Sequence, residues 1–274
     1  MPVLRMPGGR AILAAVAGAA CISSSAVVMQ LAGSSASVTA LGRCAFALPV
    51  LGILAWRERR RGAALTTRGR WLARIAGVFF SGELIVWSHS IADVGAGLGT
   101  VVTNLQVVLV ALLGWWFLGE RPHRRLLAAL PVMIAGLALV GGVAGTGGSG
   151  TDPGLGALLG VGVAGLYAVY ILLLRQAAMS RPAGEAAPVT APVTALFEAT
   201  AGATFGAAVL GAALGDFRLG PAWPALGWLV LLALTSQVLG WLLITVTMPE
   251  LPAWLVGVLL LVQPAGSPWC SPGC

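Results

Sequence analysis

An apolar run that ends in a cluster of arginines dominates the first quarter of the chain: residues 36–62 read ASVTALGRCAFALPVLGILAWRERRRG. The part from 36 to 56 is long enough to cross a bilayer as a helix, because a spanning helix needs about 20 mostly apolar residues. The arginines that follow it would then lie at a membrane surface. The same combination recurs along the chain and predicts a protein that crosses the membrane many times.

The composition of the whole chain points the same way. Of its 274 residues, 58% are hydrophobic and 9% are charged, whereas a soluble domain carries about 25% charged residues. The net charge is +7 and every basic residue is Arg. These arginines stand between apolar runs and not on one soluble face, which argues against nucleic-acid binding. Cysteines occur only at 21, 44, 270 and 274, so neither a disulfide framework nor a metal site is expected.

The apolar runs predict eight full spans and a ninth that stops early. They cover residues 11–31, 36–56, 72–91, 96–118, 126–144, 154–174, 193–214, 225–247 and 251–263. The first run exceeds the apolar core of a signal peptide, about 7–15 residues, and is interpreted as a retained helix. Basic residues precede the first span and follow the second, fourth and sixth, while the other gaps hold only Arg218. Because Lys and Arg accumulate in cytoplasmic loops, we expect a multi-pass protein of the cell membrane with a cytoplasmic N-terminus.

Two segments share one spacing: 93–106 reads DVGAGLGTVVTNLQ and 250–263 reads ELPAWLVGVLLLVQ. Each has an acid, an apolar run and then Gln. In this register the chain consists of two five-helix repeats, and the odd number inserts the second repeat in the opposite sense. The domains expected are a first repeat at 1–144, a periplasmic or extracellular linker at 145–153, an incomplete second repeat at 154–264 and an aberrant tail at 265–274.

The tail does not fit this alignment of the two repeats. Residues 265–274 read AGSPWCSPGC where the first repeat has VLVALLGWWF, and such prolines and glycines do not suit a lipid-facing span. The predicted fold class is therefore an all-α integral membrane bundle of about nine transmembrane helices, built from two inverted five-helix repeats with the last helix missing. A truncated or frame-shifted reading frame and a natural nine-helix variant both account for the tail.

Several stretches resemble the EamA family of the drug/metabolite transporter superfamily. Residues 103–142, with Leu-Gly-Glu-Arg at 118–121, look like the fourth and fifth helices of that family. Residues 41–62 are similar to its second helix, and LYAVYILLLRQ at 166–176 resembles its sixth. The tail departs from the family pattern. The resemblance implies a ten-helix inner-membrane carrier of small metabolites, and it does not fix the substrate.

Polar side chains inside the spans form the candidate substrate or ion pathway, since polar groups in a bilayer are costly and usually functional. They are Arg43, Glu83, Asn104, Gln106, Glu198 and Gln237. Arg43 could pair with an anionic substrate or an acid, or could extend to the interface. Glu83 could carry a proton or meet a cationic substrate, or could form a static ion pair. The three amides could line a polar path or cross-link helices.

Glu198 stands almost at the repeat counterpart of Arg43, so both are expected to line one cavity. Two other residues are interpreted as structural: His89, although it could relay protons, and Glu120, as a cap or a cytoplasmic ion pair. The glycine pattern at 160–165 spells a nucleotide-binding motif, but it lies within an apolar span and lacks a preceding strand.

The function predicted is secondary transport of a small organic solute by alternating access, without a cofactor or metal and without enzymatic activity. The alternatives are a non-functional fragment of a transporter and, in another class, a membrane-embedded enzyme or a lipid-handling protein. The expected partners are the lipid bilayer and a small-molecule substrate, with a homodimer left open and nucleic acid not expected.

Overall fold

The computed structural model describes residues 8–94, 105–119, 131, 153–180, 191–217, 222–251 and 253–260. Every secondary-structure element in these ranges is helical. In chain order the elements are α1 (Gly8–Ser23), α2 (Ser25–Ala32), α3 (Ala36–Arg60), α4 (Thr67–Val94), α5 (Gln106–Leu118), α6 (Pro153–Ala178), α7 (Pro192–Leu214), α8 (Ala222–Leu232), a π-helical segment π1 (Ala233–Gly240), α9 (Trp241–Thr247) and α10 (Ala253–Leu260). The predicted fifth span apart from residue 131, the linker up to residue 152 and the tail at 265–274 lie outside the described residues.

Five stretches in the described part of the chain are long and apolar enough to cross a membrane. They are Gly9–Met29, Ala36–Arg60, Leu158–Ala178, Pro192–Leu214 and Trp223–Thr247. The prediction of an all-α membrane protein is therefore confirmed at the level of fold class. The total number of spans and the two-repeat organisation stay predictions.

The helix bounds differ from the predicted spans in several places, of which three are informative. The first span is divided at Ser24, whose hydroxyl donates to the Cys21 carbonyl at 2.7 Å; such local bonds compete with the helix ladder. α3 continues to Arg60, because long arginine side chains reach the surface from the last helical turn. The eighth span contains a π-helical segment that apolar periodicity alone does not predict.

Helix α7 packs against both α3 and α4, and these two helices touch each other much less. α3 and α7 run antiparallel: the Val193 N–H at the start of α7 donates to Glu58 near the end of α3 at 3.1 Å, while Ser37 near the start of α3 meets Asp216 just beyond α7. α4 and α7 run parallel, and α6 lies antiparallel to α4. The centre of the described bundle is thus formed by α3, α4, α6 and α7.

Glycines allow α4 and α7 to approach each other closely. A Cβ added at Gly77 would overlap the Ala199 carbonyl, and one added at Gly202 would overlap the Arg74 carbonyl. The small-residue spacing of Gly202 and Gly206 allows this close packing, since Gly206 also faces Ser81. These contacts fix the distance between the two helices that carry Glu83 and Glu198.

Candidate functional site

A buried arginine on α3 lies at the centre of a polar network between three helices. Arg43 is 3% exposed, and its Nε donates to Gln237 Oε1 at 3.0 Å while its Nη2 donates to Ser236 Oγ at 2.9 Å. The Gln237 amide in turn donates from Nε2 to the Thr200 hydroxyl on α7 at 3.2 Å. The alternative in which Arg43 extends to the membrane interface does not describe this side chain.

The π-helical segment explains how two consecutive residues reach the same guanidinium. Ser236 and Gln237 both lie in π1, near the middle of the Trp223–Thr247 span, and both are fully buried. A π-turn holds more residues than an α-turn and is common at functional sites. Helix α1 packs closely against the end of π1: a Cβ added at Gly18 would lie 2.7 Å from the Gly240 carbonyl.

Four aromatic rings form one wall of this site. Phe80 stacks on Tyr170 with ring centroids 4.5 Å apart, and Tyr170 meets the Trp241 ring edge-to-face at 4.8 Å. Tyr167 lies 6.0 Å from Trp241 between centroids. The Arg43 guanidinium lies 5.4 Å from the centroid of the Phe80 ring, which is within the range of a cation–π contact. The cation is thus held between amide, hydroxyl and aromatic groups.

Glu83 lies next to this network without joining it. It is 5% exposed and lies within electrostatic range of Arg43, yet the two form no ion pair in the described structure. Its Oε2 has no hydrogen-bond partner, and neither do the Tyr170 hydroxyl and the Trp241 indole N–H, as far as the described coordinates go. Buried polar groups are normally hydrogen-bonded, so three such atoms around one aromatic wall mark a place where a polar ligand would be stabilised.

The remaining predicted site residues lie elsewhere or outside the described part of the chain. Gln106 is buried at the start of α5 and makes no hydrogen bond to another described candidate. Asn104 lies outside the described residues, as does the side chain of His89. Glu198 is buried, but its carboxylate binds Arg59 at 3.2 Å and Arg74 at 2.9 Å. The structure therefore gives Glu198 two arginine partners other than Arg43, and its place in a shared cavity stays a prediction.

Sequence reasoning missed the residues that surround Arg43 and Gln237. Ser and Thr are common in apolar helices, so the sequence gave no reason to single out Ser236 and Thr200. The chain has two tyrosines, Tyr167 and Tyr170, and residues three apart lie on one face of a helix, so this pair was a usable signal. Arg175 comes directly after the predicted span at 154–174. It lies within α6, is buried, and donates from Nε to the Met248 carbonyl just beyond α9 at 3.3 Å.

The helices and their buried polar centre are those of a multi-pass membrane protein. The family model described as EamA-like transporter family matches residues 9–142. Over these residues, about half of its length, the chain is similar to this family, which is a family of transporters.

A solved crystal structure matches with a TM-score of 0.66 at 20% sequence identity, over 94% of this chain and 86% of that chain. At this identity the likeness concerns the fold alone. No curated protein matches the chain.

Proposed function

We propose that the protein is a secondary transporter that moves a small organic solute across the cell membrane by alternating access, with the Arg43 centre as its solute-binding site. The observation that carries the proposal is a buried guanidinium beside three unpartnered polar atoms, on Glu83, Tyr170 and Trp241, deep inside an apolar bundle. A charge in this position is expensive and is retained for a function in most membrane proteins.

The chemistry of the centre favours a solute with a polar or anionic group. Arg has five N–H donors, and Nε and Nη2 of Arg43 are oriented by Gln237 and Ser236. The other donors remain available to bind a carboxylate or carbonyl oxygen. The aromatic wall would pack against an apolar part of the solute, and Glu83 would accept a hydrogen bond from it or carry a proton with it.

The origin of the helices that supply the site supports alternating access. Arg43 and Phe80 come from the predicted first repeat, whereas Thr200 and Gln237 come from the predicted second repeat. Movement of one repeat against the other would break and re-form the contacts between them. We further propose that the arginine-rich ends of the helices face the cytoplasm, in accordance with the distribution of basic residues.

The proposal is tested by a screen for solute binding, followed by measurement of solute flux. The purified protein is heated in detergent with a panel of small carboxylates, amines, amino acids and sugars, and solutes that raise the melting temperature are then measured for flux in proteoliposomes. Arg43→Gln should abolish both the shift and the flux. Arg10→Gln removes an exposed arginine from α1 and should change neither. Solutes that stabilise Arg43→Gln as strongly as the wild type would refute the assignment of the site.

A further inference from the structure

Two arginine–tryptophan pairs lie on the outside of the bundle at its arginine-rich end. On α3, the Arg60 guanidinium lies 3.9 Å from the ring centroid of Trp56. On α4, the Arg74 guanidinium lies 5.4 Å from that of Trp71. The two indole side chains are exposed, with 52% of Trp56 and 58% of Trp71 accessible. Because α7 packs against both α3 and α4, the two pairs flank the beginning of α7.

Both tryptophans lie close to the arginine-rich ends of their helices. Trp56 is four residues before the last residue of α3 and Trp71 is four residues after the first residue of α4, which is about 6 Å from each helix end at 1.5 Å per residue. Each continues a stripe of exposed apolar side chains that faces lipid: Phe46 and Ile53 on α3, Ile75 and Val78 on α4. Tryptophan favours the boundary between acyl chains and headgroups.

The charge at this end is unbalanced among the described residues. Six arginines are exposed here: Arg57, Arg59, Arg60, Arg61, Arg68 and Arg74. The two described acids of this region are already engaged. Glu58 accepts the Val193 and Thr194 N–H groups at 3.1 and 2.6 Å, and Glu198 binds Arg59 and Arg74. Neither carboxylate is therefore available to neutralise Arg60.

We propose that the surface formed by Trp56, Arg60 and Trp71 is a binding site for an anionic phospholipid. The Arg60 guanidinium, which no described carboxylate neutralises, would bind the phosphate, which Arg recognises with paired N–H donors. The indole rings would pack against the glycerol and the upper acyl chains. A lipid bound here would contact both helices that hold α7 and would stabilise the α3–α7–α4 packing.

The test uses the full-length protein in detergent, with phosphatidylglycerol added and with phosphatidylcholine as the zwitterionic control. Native mass spectrometry counts the bound lipids, and thermal unfolding reports stabilisation. Phosphatidylglycerol should bind and raise the melting temperature, whereas phosphatidylcholine and inorganic phosphate should not. Arg60→Gln should weaken phosphatidylglycerol binding about fivefold, the effect expected of one arginine near an anionic headgroup.

Arg60→Gln breaks no described ion pair, and Trp56→Leu provides a second variant that retains all charges. Arg10→Gln is the matched control, because it removes the same charge from α1, which packs on π1 and α9 and not on α7. Arg60→Gln and Trp56→Leu should both weaken phosphatidylglycerol binding. Arg10→Gln should leave it unchanged. Equal binding of phosphatidylcholine, equal loss in Arg10→Gln, or unchanged binding in both surface variants would overturn it.

Discussion

The Nε of Arg43 donates a hydrogen bond to the Oε1 of Gln237 at 3.0 Å, and this bond joins residues that are 194 positions apart. Both side chains are buried between largely apolar helices, where an unpaired polar group is costly. Each therefore depends on the other, for stability as well as for any role in transport.

Gln237→Leu should destabilise the protein by about 1–3 kcal/mol, because it leaves a buried guanidinium with one of its two described acceptors. Adding Arg43→Met to this variant should recover part of the lost stability, since the Leu–Met pair leaves no buried charge without a partner. Ser236→Ala, which removes the other acceptor, should behave like Gln237→Leu. The measurement is thermal or chemical unfolding, in one detergent, of the wild type, Gln237→Leu, Arg43→Met, the double variant and Ser236→Ala. Losses that simply add in the double variant would contradict the coupling.

Glu198 should couple energetically to both Arg59 and Arg74. The carboxylate is buried while the arginines are partly exposed, so screening by solvent limits the contribution of each pair to about 1 kcal/mol or less. Glu198→Gln and the double variant Arg59→Gln/Arg74→Gln should each lower the melting temperature by a few degrees. Combining all three changes should cost less than the sum of the two effects. Full additivity would show that the ion pairs contribute nothing to the contact between α3, α4 and α7.

The spans were predictable because a bilayer imposes a length and a composition on every helix that crosses it. The start of α3 at Ala36 and the bounds of α7 within one residue followed from apolar runs alone. The burial of Glu83 and Gln237 agrees with the expectation from the cost of placing polar groups in such runs, whereas the sequence left Arg43 open between an interior position and the interface. What did not follow was the partner of each group, since partners come from helices that are distant in sequence.

Glu198 illustrates that limit. Its position relative to Arg43 in the predicted repeats suggested a shared cavity, yet its carboxylate contacts Arg59 and Arg74, because long arginine side chains reach it from both neighbouring helices. The π-helical segment is a second case. Nothing in ALTSQVLG at 233–240 distinguishes it from an α-helix, and its geometry depends on packing against Gly18 and Arg43.

Gly202→Ala should destabilise the protein by about 1–3 kcal/mol, the usual cost of overpacking. The new methyl group would overlap the Arg74 carbonyl, so α4 and α7 would have to separate. Gly162→Ala is the matched control: it is also a helical glycine, but a Cβ there meets nothing within 4 Å. Because Ala favours helix over Gly, this control should be neutral or slightly stabilising. Comparable losses in both variants would show that the close approach of α4 and α7 is not the cause of the loss in Gly202→Ala.

Glu83→Gln should remove the pH dependence of transport if Glu83 carries a proton. The carboxyl lies beside Arg43 with one oxygen unpartnered, so its charge would change when a solute binds or when the guanidinium moves. Gln has the shape of the protonated carboxyl but cannot release a proton. We therefore expect flux in proteoliposomes that responds to an imposed pH gradient in the wild type and not in the variant.

Glu198→Gln serves as the control for this experiment, because Glu198 is a second buried acid whose oxygens are both bound by arginines. Its flux should keep the response of the wild type to the gradient. A thermal shift with the transported solute separates binding from coupling: Glu83→Gln should still bind the solute if Arg43 is its anchor. If Glu83→Gln transports with the pH dependence of the wild type, the proton is carried by another group, and Glu83 serves the site only as a fixed counter-charge to Arg43.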